Sequence, residues 1–524
     1  MARRRIAGIV ALAVGALVAS ATVAWAAGGL WTSGGQDIQN TRNASTESKI
    51  SPENVADLTT KWVFETGGDV SATPAVDGTT VYVPDWAGNL FAIDRRTGEQ
   101  VWARQVPDYA GVDGNFSRTT PAVHGEKLVL GDQGGRQFQG ATVVAVDKHT
   151  GDLLWSTKID DHPASIVTQS PVVHGSTVYV GVSSLEEFFA AVIPGYQCCS
   201  FRGSIVALDV NTGEIVWKTF TAPDIPGYSG NSVWGPTPAI DTKRGSVYVA
   251  TGNNYTVPQD DLDCVAANEG DPAAVAACMS PDNHFDSVMS LDLKTGEINW
   301  ATRALPFDAW TVACIVGPEE NCSSPAGPDL DFGEGPALFT TGTGSTKREL
   351  LGAGQKSGQY WALDPDTGEV VWVTKAGPGG VLGGIIWGSA VDGERVYVAN
   401  GNTAGLDWNL VGGATVNSGF WTALDAATGE IMWQTPDPLG AVNQGPVTVA
   451  NGVVFACSMD VGGHMYAMDA ATGAVLWGFE SGGSCNAGAA VVNGTVYWGS
   501  GYESLAGFLG STGNNKLHAF EVAG

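Results

Sequence analysis

The sequence predicts an all-β protein folded as an eight-bladed β-propeller. One phrase, an Asp followed by Thr-Gly and then a Trp, occurs seven times in the 524 residues. A second pattern, a strand, a tight turn and another strand after a Pro or small residue, begins eight times. Repeats of this size are typical of propellers, solenoids and arrays. The phrases run from Asp94 to Trp102, Asp147 to Trp155, Asp209 to Trp217, Asp292 to Trp300, Asp364 to Trp372, Asp425 to Trp433 and Asp469 to Trp477.

The eighth phrase is divided between the two ends of the chain. The segment 516–520, Lys-Leu-His-Ala-Phe, supplies a C-terminal strand, and the segment 61–64, Lys-Trp-Val-Phe, supplies the strand that carries the Trp. We therefore predict that the N- and C-terminal strands share the last blade. Such a closure joins the two ends of the ring and removes free sheet edges.

The repeated phrase predicts a short turn between the third and fourth strands of each blade. An Asp side chain accepts hydrogen bonds from turn amides, and Gly adopts the positive φ that such a turn needs. The Trp residues are predicted to pack between blades. The separations of successive Trp residues vary, at 53, 62, 83, 72, 61 and 44 positions. Because the turns stay short, this variation indicates insertions in the longer connections, which emerge on one face of the ring. Insertions on one face usually mark the binding face.

Residues 1–26 are predicted to form a signal peptide. Arg3 to Arg5 are charged, the run 6–20 is apolar, and Ala-Trp-Ala at 24–26 resembles a cleavage site. A short apolar run favours cleavage over an uncleaved anchor, and the twin-arginine route stays open. We expect residues 27–57 to be an N-terminal extension and residues 58–524 to form the propeller. The mature chain is expected to be secreted, periplasmic or at the cell surface, without a membrane-spanning segment.

An exported chain can hold disulfides, and this one has eight cysteines. The adjacent pair is ambiguous, because neighbouring Cα atoms lie about 3.8 Å apart, below the usual disulfide range. Spacing alone therefore favours two cysteines that pair elsewhere or stay free. The net charge of −28 argues against nucleic acid as a partner and suits a soluble secreted surface. Proximity in the sequence favours the pairs Cys264–Cys278, Cys314–Cys322, Cys457–Cys485 and Cys198–Cys199.

The common catalytic motifs are missing from the sequence. It contains no H-E-x-x-H zinc motif, no Walker A motif, no hydrolase G-x-S-x-G and no C-x-x-C-H for covalent haem. None of the seven histidines belongs to a pair with metal-ligand spacing. The chemistry must therefore rest on residues outside these motifs.

Three segments resemble the pyrroloquinoline quinone (PQQ)-dependent alcohol dehydrogenases, and in particular their polyvinyl alcohol dehydrogenase branch. They are Ile-Ser-Pro-Glu-Asn-Val at 50–55, Cys-Cys-Ser-Phe-Arg-Gly-Ser at 198–204 and Gly-Gln-Lys-Ser-Gly at 354–358. The resemblance extends over almost the whole mature chain. It implies an eight-bladed propeller with PQQ and Ca²⁺ as cofactors.

The resemblance also implies a set of site residues. It places a Cys198–Cys199 disulfide on one face of the quinone, against the spacing argument above, and Trp234 on the other face. Ordinary roles remain as alternatives, since Trp234 could be core and Asn253 a turn residue. The implied cofactor contacts are Arg118, Thr168, Ser183, Cys198, Cys199, Trp234 and Lys356, and the implied metal ligands are Glu186 and Asn253.

The catalytic base is where the chain departs from the family. The family base is the second Asp of Pro-x-Asp-x-Trp-Asp, and here the segment 306–311 reads Pro-Phe-Asp-Ala-Trp-Thr. Thr311 therefore occupies the base position. We expect Asp308 to be the base and Lys356 to be the catalytic cation. The alternatives for the base are that Glu187 serves instead or that the protein is inactive.

The implied function is oxidation of a secondary or polymeric alcohol to a carbonyl compound by hydride transfer to PQQ. Without a haem motif, the electrons must pass to a separate acceptor such as a cytochrome c. The alternatives are a non-catalytic propeller scaffold, because assembly lipoproteins of the outer membrane share the repeats, and a polymer-binding module without a cofactor.

Overall fold

The protein is a ring of eight four-stranded antiparallel sheets, as predicted. The structure is a computed structural model that describes residues 29–507 and 510–523. The predicted signal peptide at 1–26 lies outside the described residues. In each blade, strands A to D run from the centre outwards, and A strands of neighbouring blades contact one another.

The strands of the eight blades follow one another along the chain, except in the last blade. In the order A to D, the strands are Ala75–Val76, Thr80–Pro84, Asn89–Asp94 and Gln100–Gln105 in blade 1; Ala122–His124, Lys127–Gly131, Ala141–Asp147 and Leu153–Asp160 in blade 2; Val172–His174, Thr177–Ser184, Ser204–Asp209 and Ile215–Phe220 in blade 3; and Ala239–Asp241, Ser246–Ala250, Ser287–Asp292 and Ile298–Arg303 in blade 4. They are Ala337–Thr341, Arg348–Gly354, Gln359–Leu363 and Val370–Lys375 in blade 5; Ala390–Val391, Arg395–Asn400, Phe420–Asp425 and Ile431–Pro436 in blade 6; Thr448–Ala450, Val453–Cys457, His464–Asp469 and Val475–Glu480 in blade 7; and Ala490–Val492, Thr495–Ser500, Lys516–Val522 and Leu58–Glu65 in blade 8.

Short elements occur in the connections between these strands. The α-helices are Val106–Ala110, Glu186–Val192, Gln259–Ala267, Pro272–Cys278 and Glu503–Ala506. Single turns of 3₁₀ helix cover Val55–Asp57, Gly134–Gln137, Val312–Cys314, Glu319–Asn321 and Gly344–Thr346. The short strands Ser229–Gly230 and Asn254–Thr256 pair, as do Trp408–Asn409 and Thr415–Val416, and Ser165–Ile166 pairs with the end of Thr177–Ser184.

The last blade is closed by the two ends of the chain, which confirms the prediction from the split phrase. Strand Leu58–Glu65 forms the outer edge of this blade and pairs with Lys516–Val522. The register runs from Leu58 opposite Val522 to Glu65 opposite Lys516. The ring is therefore fastened by main-chain hydrogen bonds between residues more than four hundred positions apart.

The repeated phrase makes both the turn and the contact between blades. Asp94 Oδ1 accepts a hydrogen bond from the Thr97 amide at 2.8 Å. Gly98 has a φ of 76°, and a Cβ at this position would lie 2.7 Å from the Trp62 ring of the neighbouring blade. Trp62 Nε1 in turn donates to the carbonyl of Arg95 at 3.1 Å. Equivalent Trp contacts occur between most other blades, so the phrase fastens each blade to the next.

The expected N-terminal extension is bound into the centre of the ring. Residues 31–44, which we call the hub segment, hydrogen bond through their main chain to the A strands of six blades. This pairing satisfies strand edges that would otherwise meet at the axis without partners. The bonded pairs are Trp31 with Val76, Thr32 with Val123, Ile38 with Ile240, Gln39 with Leu338, Thr41 with Val391 and Ala44 with Val449.

Two buried side chains of the hub segment add bonds to the ring. Asn40 Nδ2 lies within 3.2 Å of three carbonyl oxygens that precede blades 4 and 5. The Arg42 guanidinium donates to the carbonyls of Val447 at 2.8 Å and Gly34 at 2.6 Å, and to Thr73 Oγ1 at 3.1 Å. Burial lowers the pKa of Arg42 to about 9, so its charge depends on these acceptors.

All four cysteine pairs favoured from the sequence are formed. The pairing leaves no free cysteine among the residues that the structure describes. In the same residues, no helix combines the length and the apolar character needed to cross a membrane. The disulfides are Cys198–Cys199, Cys264–Cys278, Cys314–Cys322 and Cys457–Cys485.

Replacing Arg42 should weaken the whole ring. We expect Arg42→Ala to lower the free energy of unfolding by about 2–4 kcal/mol, because buried carbonyl groups lose a charged donor. Exposed Arg96→Ala is the matched control and should change it by less than about 0.5 kcal/mol. Urea unfolding followed by tryptophan fluorescence measures both. Equal stability of the two variants would contradict a structural role for the hub segment.

Candidate functional site

Insertions from blades 3, 4 and 5 meet on one face of the ring. The helix Glu186–Val192 follows strand B of blade 3, and its carbonyl at Ala190 accepts a hydrogen bond from Asn321 Nδ2 at 2.8 Å. The insertion of blade 4 joins the same group, because Asn254 forms a β-bridge with Ala309. The predicted binding face is therefore a set of connected loops, which we call the loop face.

A buried lysine lies at the centre of this group. Lys356 Nζ lies 2.8 Å from Asp329 Oδ1 and 2.7 Å from Asp331 Oδ1. The same ammonium lies 5.5 Å from the centre of the Trp234 ring, and Trp234 Nε1 donates to Asp331 Oδ2 at 2.7 Å. Burial alone would lower the pKa of Lys356, but the two aspartates raise it well above its usual value. The structure thus brings the predicted residues Trp234 and Lys356 together.

The Trp234 ring is held in place from several sides. A Cβ on Gly252 would lie 2.7 Å from Asp331 Oδ2 and 3.1 Å from Trp234 Nε1, so only glycine fits beside this bond. The Trp387 ring meets Trp234 edge-on, with centroids 5.3 Å apart. A ring fixed in this way presents a flat surface of constant orientation.

Asp308 is fully buried beside this group. Its two carboxylate oxygens accept hydrogen bonds from the amides of Asp329 at 3.0 Å and Leu330 at 2.8 Å. Burial raises the pKa of Asp308 to about 6, against the effect of these amides. Thr311, at the family's base position, donates its hydroxyl to the carbonyl of Asn321 at 2.7 Å. Thr311 therefore has a structural bond inside the loop.

Glu186, the first implied metal ligand, binds main-chain amides of the loop that follows it. This carboxylate is 1 % exposed and accepts hydrogen bonds from the amides of Ser200 at 2.9 Å and Phe201 at 2.7 Å. It also accepts a bond from the Tyr196 hydroxyl at 3.1 Å. Glu186 thus anchors the loop that carries the Cys198–Cys199 disulfide.

The charges of the lysine group act on the neighbouring Glu187. Burial raises the pKa of Glu187 to about 7; Lys356 opposes this shift, and Asp331 and Asp308 add to it. These influences place the Glu187 carboxylate in the same field as the buried acids. The sequence shows two adjacent glutamates, and only the direction of the helix Glu186–Val192 distinguishes them.

Asn253, the second implied metal ligand, has a side-chain amide of fixed orientation. Its amide nitrogen donates to the carbonyls of Asn254 at 2.9 Å and Trp310 at 2.8 Å. This fixes the orientation of the amide, and the side-chain oxygen accepts no hydrogen bond from the described part of the chain. Within residues 29–507 and 510–523, no three His, Cys, Asp or Glu side chains are arranged to hold a metal ion by themselves.

Arg118 and Thr168 line a pocket at the axis of the ring, together with Trp387. The Arg118 guanidinium carbon lies 4.7 Å from the centre of the Trp387 ring. Trp387 therefore connects Arg118 with Trp234 and Lys356 in one continuous row. Ser183 is buried nearby in strand B of blade 3, where it pairs with Ile166, two positions before Thr168.

Three buried acids were missed by the sequence reasoning. Asp329 and Asp331 bind Lys356, and a possible signal was their Asp-Leu-Asp spacing just before blade 5. Asp286 is fully buried, and burial raises its pKa far above the usual range, with the charges of Asp308 and Asp331 adding to the shift. No pattern in the sequence indicates Asp286, since the fold alone brings it there.

Comparison with known proteins identifies the family. A family model described as outer membrane protein assembly factor BamB matches residues 30–302 and 356–520. A polyvinylalcohol dehydrogenase of Pseudomonas sp. is 32 % identical over 94 % of this chain and 77 % of its own length, and one of Sphingopyxis sp. is 31 % identical over 89 % and 72 %. The chain belongs to the PQQ-dependent alcohol dehydrogenase family.

Solved structures agree with this fold. Quinohemoprotein alcohol dehydrogenase from Comamonas testosteroni superposes with a TM-score of 0.69 at 19 % identity, over 95 % of this chain and 82 % of that one. As a member of the PQQ-dependent alcohol dehydrogenases, the chain is an alcohol oxidoreductase. The alternative of a non-catalytic scaffold rested on the repeats alone, which the dehydrogenases share.

Gly252→Ala should disturb the Trp234–Asp331 bond. The new methyl group would overlap both side chains, so we expect a loss of about 1–3 kcal/mol in unfolding free energy and a changed tryptophan emission. Gly78→Ala is the control, because a Cβ there meets no atom within 4 Å. Urea unfolding and emission spectra measure both. An unchanged Gly252→Ala protein would contradict the tight packing around Trp234.

Proposed function

We propose that the protein oxidises secondary alcohols, including polymeric ones that resemble polyvinyl alcohol, with PQQ and Ca²⁺ as cofactors. The observation that carries this proposal is the row of Arg118, Trp387, Trp234 and Lys356, which ends among buried carboxylates. It combines a cation for an acidic ligand, a flat aromatic surface and a second cation next to possible proton acceptors. These are the features required to bind a quinone that carries carboxylate groups and to support its reduction.

The donor set fits a calcium ion. Calcium prefers oxygen ligands, and Glu187 together with the free oxygen of Asn253 would supply two of them. A cation would also relieve the repulsion among the acids, because each of five carboxyl groups has its pKa raised by the charge of at least one of the others or contacts Lys356. They are Glu187, Asp286, Asp308, Asp329 and Asp331. We therefore assign the metal role to Glu187 in place of Glu186. The remaining ligands would come from the cofactor.

The cofactor would be held by residues of the axial pocket and the loop face. Arg118, Thr168 and Ser183 would bind its carboxylates, and the Trp234 ring would support one face. The Cys198–Cys199 disulfide, on the loop that Glu186 anchors, would cover the other face. When bound, PQQ supplies the acceptor for a hydride and Ca²⁺ supplies Lewis acidity.

Lys356 and Asp308 would carry out the proton and charge steps. With a pKa of about 6, Asp308 is mostly ionised at neutral pH and can accept the proton of the substrate hydroxyl. Its amide bonds from Asp329 and Leu330 fix the carboxylate in one orientation. Lys356 would stabilise negative charge on oxygens bound beside it, because its ammonium is buried and already oriented.

The relatives and the sequence support the proposed substrate and the proposed acceptor. Both polyvinylalcohol dehydrogenases named above match most of the chain, which supports a polymeric secondary alcohol. The chain has no C-x-x-C-H motif, so we propose a separate electron acceptor such as a cytochrome c. The signal-like residues 1–26 support action outside the cytoplasm.

Reconstitution tests the proposed function. We expect apoprotein supplied with PQQ and Ca²⁺ to oxidise 2-butanol and polyvinyl alcohol in a dye-linked assay. Chelation of the metal should abolish the activity. Binding of PQQ without turnover would instead indicate a polymer-binding module, and absence of PQQ binding would exclude the quinoprotein assignment.

Substituting each of the two adjacent glutamates distinguishes a role in metal binding from a role in anchoring the loop. Glu187→Gln should raise the Ca²⁺ concentration for half-maximal activity at least 10-fold, because a charged ligand is lost, with little change in unfolding. Glu186→Gln should mainly lower the unfolding midpoint, since it weakens bonds to the main-chain amides of Ser200 and Phe201. A larger calcium effect from Glu186→Gln would return the metal role to Glu186.

Asp308 can be tested as the base. We expect Asp308→Asn to lower kcat at least about 100-fold while PQQ binding changes less than about threefold, because the amide cannot accept the proton. Asp224→Asn, with a side chain 95 % exposed, is the control. Steady-state kinetics and PQQ titration measure both. Normal kcat in Asp308→Asn would leave Glu187 as the remaining candidate.

A further inference from the structure

Two arginines beside the axial pocket have no acidic partner. Arg118 and Arg136 lie next to Trp86. Their guanidinium carbons are 5.2 Å and 5.5 Å, respectively, from the centre of the Trp86 ring. Both side chains are half-buried. Neither forms a salt bridge with any carboxylate in the described part of the chain, although acids outnumber basic residues by 54 to 26.

Most of their N–H groups also lack an acceptor. Arg118 donates one hydrogen bond, to the Tyr502 hydroxyl at 3.2 Å. The Arg136 guanidinium donates none to the described residues, and its Nε is buried without a partner. A guanidinium has five N–H donors, and buried donors are normally satisfied. The unpaired donors therefore indicate a missing acceptor beside these two side chains.

The charges of the two arginines act on each other without compensation. Burial lowers the pKa of Arg136, and the charge of Arg118 lowers it further. Stacking on Trp86 and Phe116, 5.4 Å from the Arg136 guanidinium carbon, offsets part of this cost. An anion bound between the guanidinium groups would remove the repulsion.

The group is continuous with the pocket at the axis. Trp86 Nε1 donates to Ser71 Oγ at 2.8 Å, and Ser71 lines that pocket together with Arg118 and Thr168. A ligand in the pocket can thus reach the arginines along the Trp86 side. Arg118 already has a proposed role in cofactor binding, whereas Arg136 has none.

We propose that Arg118 and Arg136 together bind a carboxylate group beside Trp86. The planar guanidinium fork matches the two oxygens of a carboxylate, which makes arginine pairs suited to such a ligand. The carboxylate belongs either to the PQQ cofactor or to a separate small di- or tricarboxylate. The first source rests on the proposed function, and the second does not.

Titration of the apoprotein tests the site. PQQ and citrate are titrated separately into the wild type and into Arg136→Gln by calorimetry. We expect Arg136→Gln to weaken binding of at least one of the two ligands about 10- to 100-fold, because charge-assisted bonds are lost. Arg136→Lys keeps the positive charge but loses the planar guanidinium, so its affinity should lie between those of the wild type and Arg136→Gln. Exposed Arg96→Gln is the control, and urea unfolding of each apoprotein checks that it is folded.

The two sources give different results. If the site holds the cofactor, Arg136→Gln weakens PQQ binding and citrate competes with PQQ. If it holds a separate carboxylate, citrate binds in the presence of saturating PQQ, and Arg136→Gln loses only citrate. Citrate binding that depends on Arg136 in a protein that does not bind PQQ would support the site and contradict the proposed function. Unchanged binding of both ligands in a folded Arg136→Gln protein would overturn the proposal.

Discussion

The pairing of strand edges at the axis is the constraint on which the rest of the structure depends. Each blade directs its A strand towards the centre, where backbone groups without partners would be costly. The hub segment satisfies six of these edges with its own main chain, and Arg42 and Asn40 extend the contacts to neighbouring blades. Because one segment contacts so many blades, their relative positions are fixed, and loops from blades 3, 4 and 5 can meet reproducibly.

The loop face contains the opposite kind of arrangement, a group of charges that the fold alone does not balance. Lys356 is bound to Asp329 and Asp331, but Asp308, Asp286 and Glu187 remain in the same surroundings. Burial of unpaired carboxylates is expensive, and it is tolerated mainly where a ligand or a proton completes the site. The same reasoning applies with reversed sign to Arg118 and Arg136. Both groups are understandable as parts of a site that is complete only with its ligands.

The sequence was sufficient for the frame and only partly for the site. Blade number and closure followed from the repeats, because local patterns determine turns and strands. Proximity indicated three disulfide pairs, whereas spacing argued against Cys198–Cys199, which the family resemblance implied. The repeat also predicted the Trp contacts, although the close approach of Gly98 to Trp62 became visible only in the structure. Glu186 and Glu187 differ by one position, so a pattern comparison could not decide which carboxylate turns to the loop amides. Asp331 contacts Lys356, and the charges of Asp308 and Asp331 act on Asp286, only because the fold brings distant segments together, which no local pattern reports.

The hub segment and the loop face are also linked electrostatically, through Glu334. This fully buried carboxylate accepts bonds from the Ser389 hydroxyl and the Gly354 amide, and burial raises its pKa to about 7 while Arg42 opposes the shift. Glu334 follows Asp331 by three positions, and Gly354 precedes Lys356 by two. The Lys356 amide itself donates to the Asp331 carbonyl at 2.9 Å. The charge of Arg42 at the axis thus acts on a carboxylate that binds the two chain segments of the Lys356–Asp331 ion pair, so the hub segment also helps to set the geometry of the site.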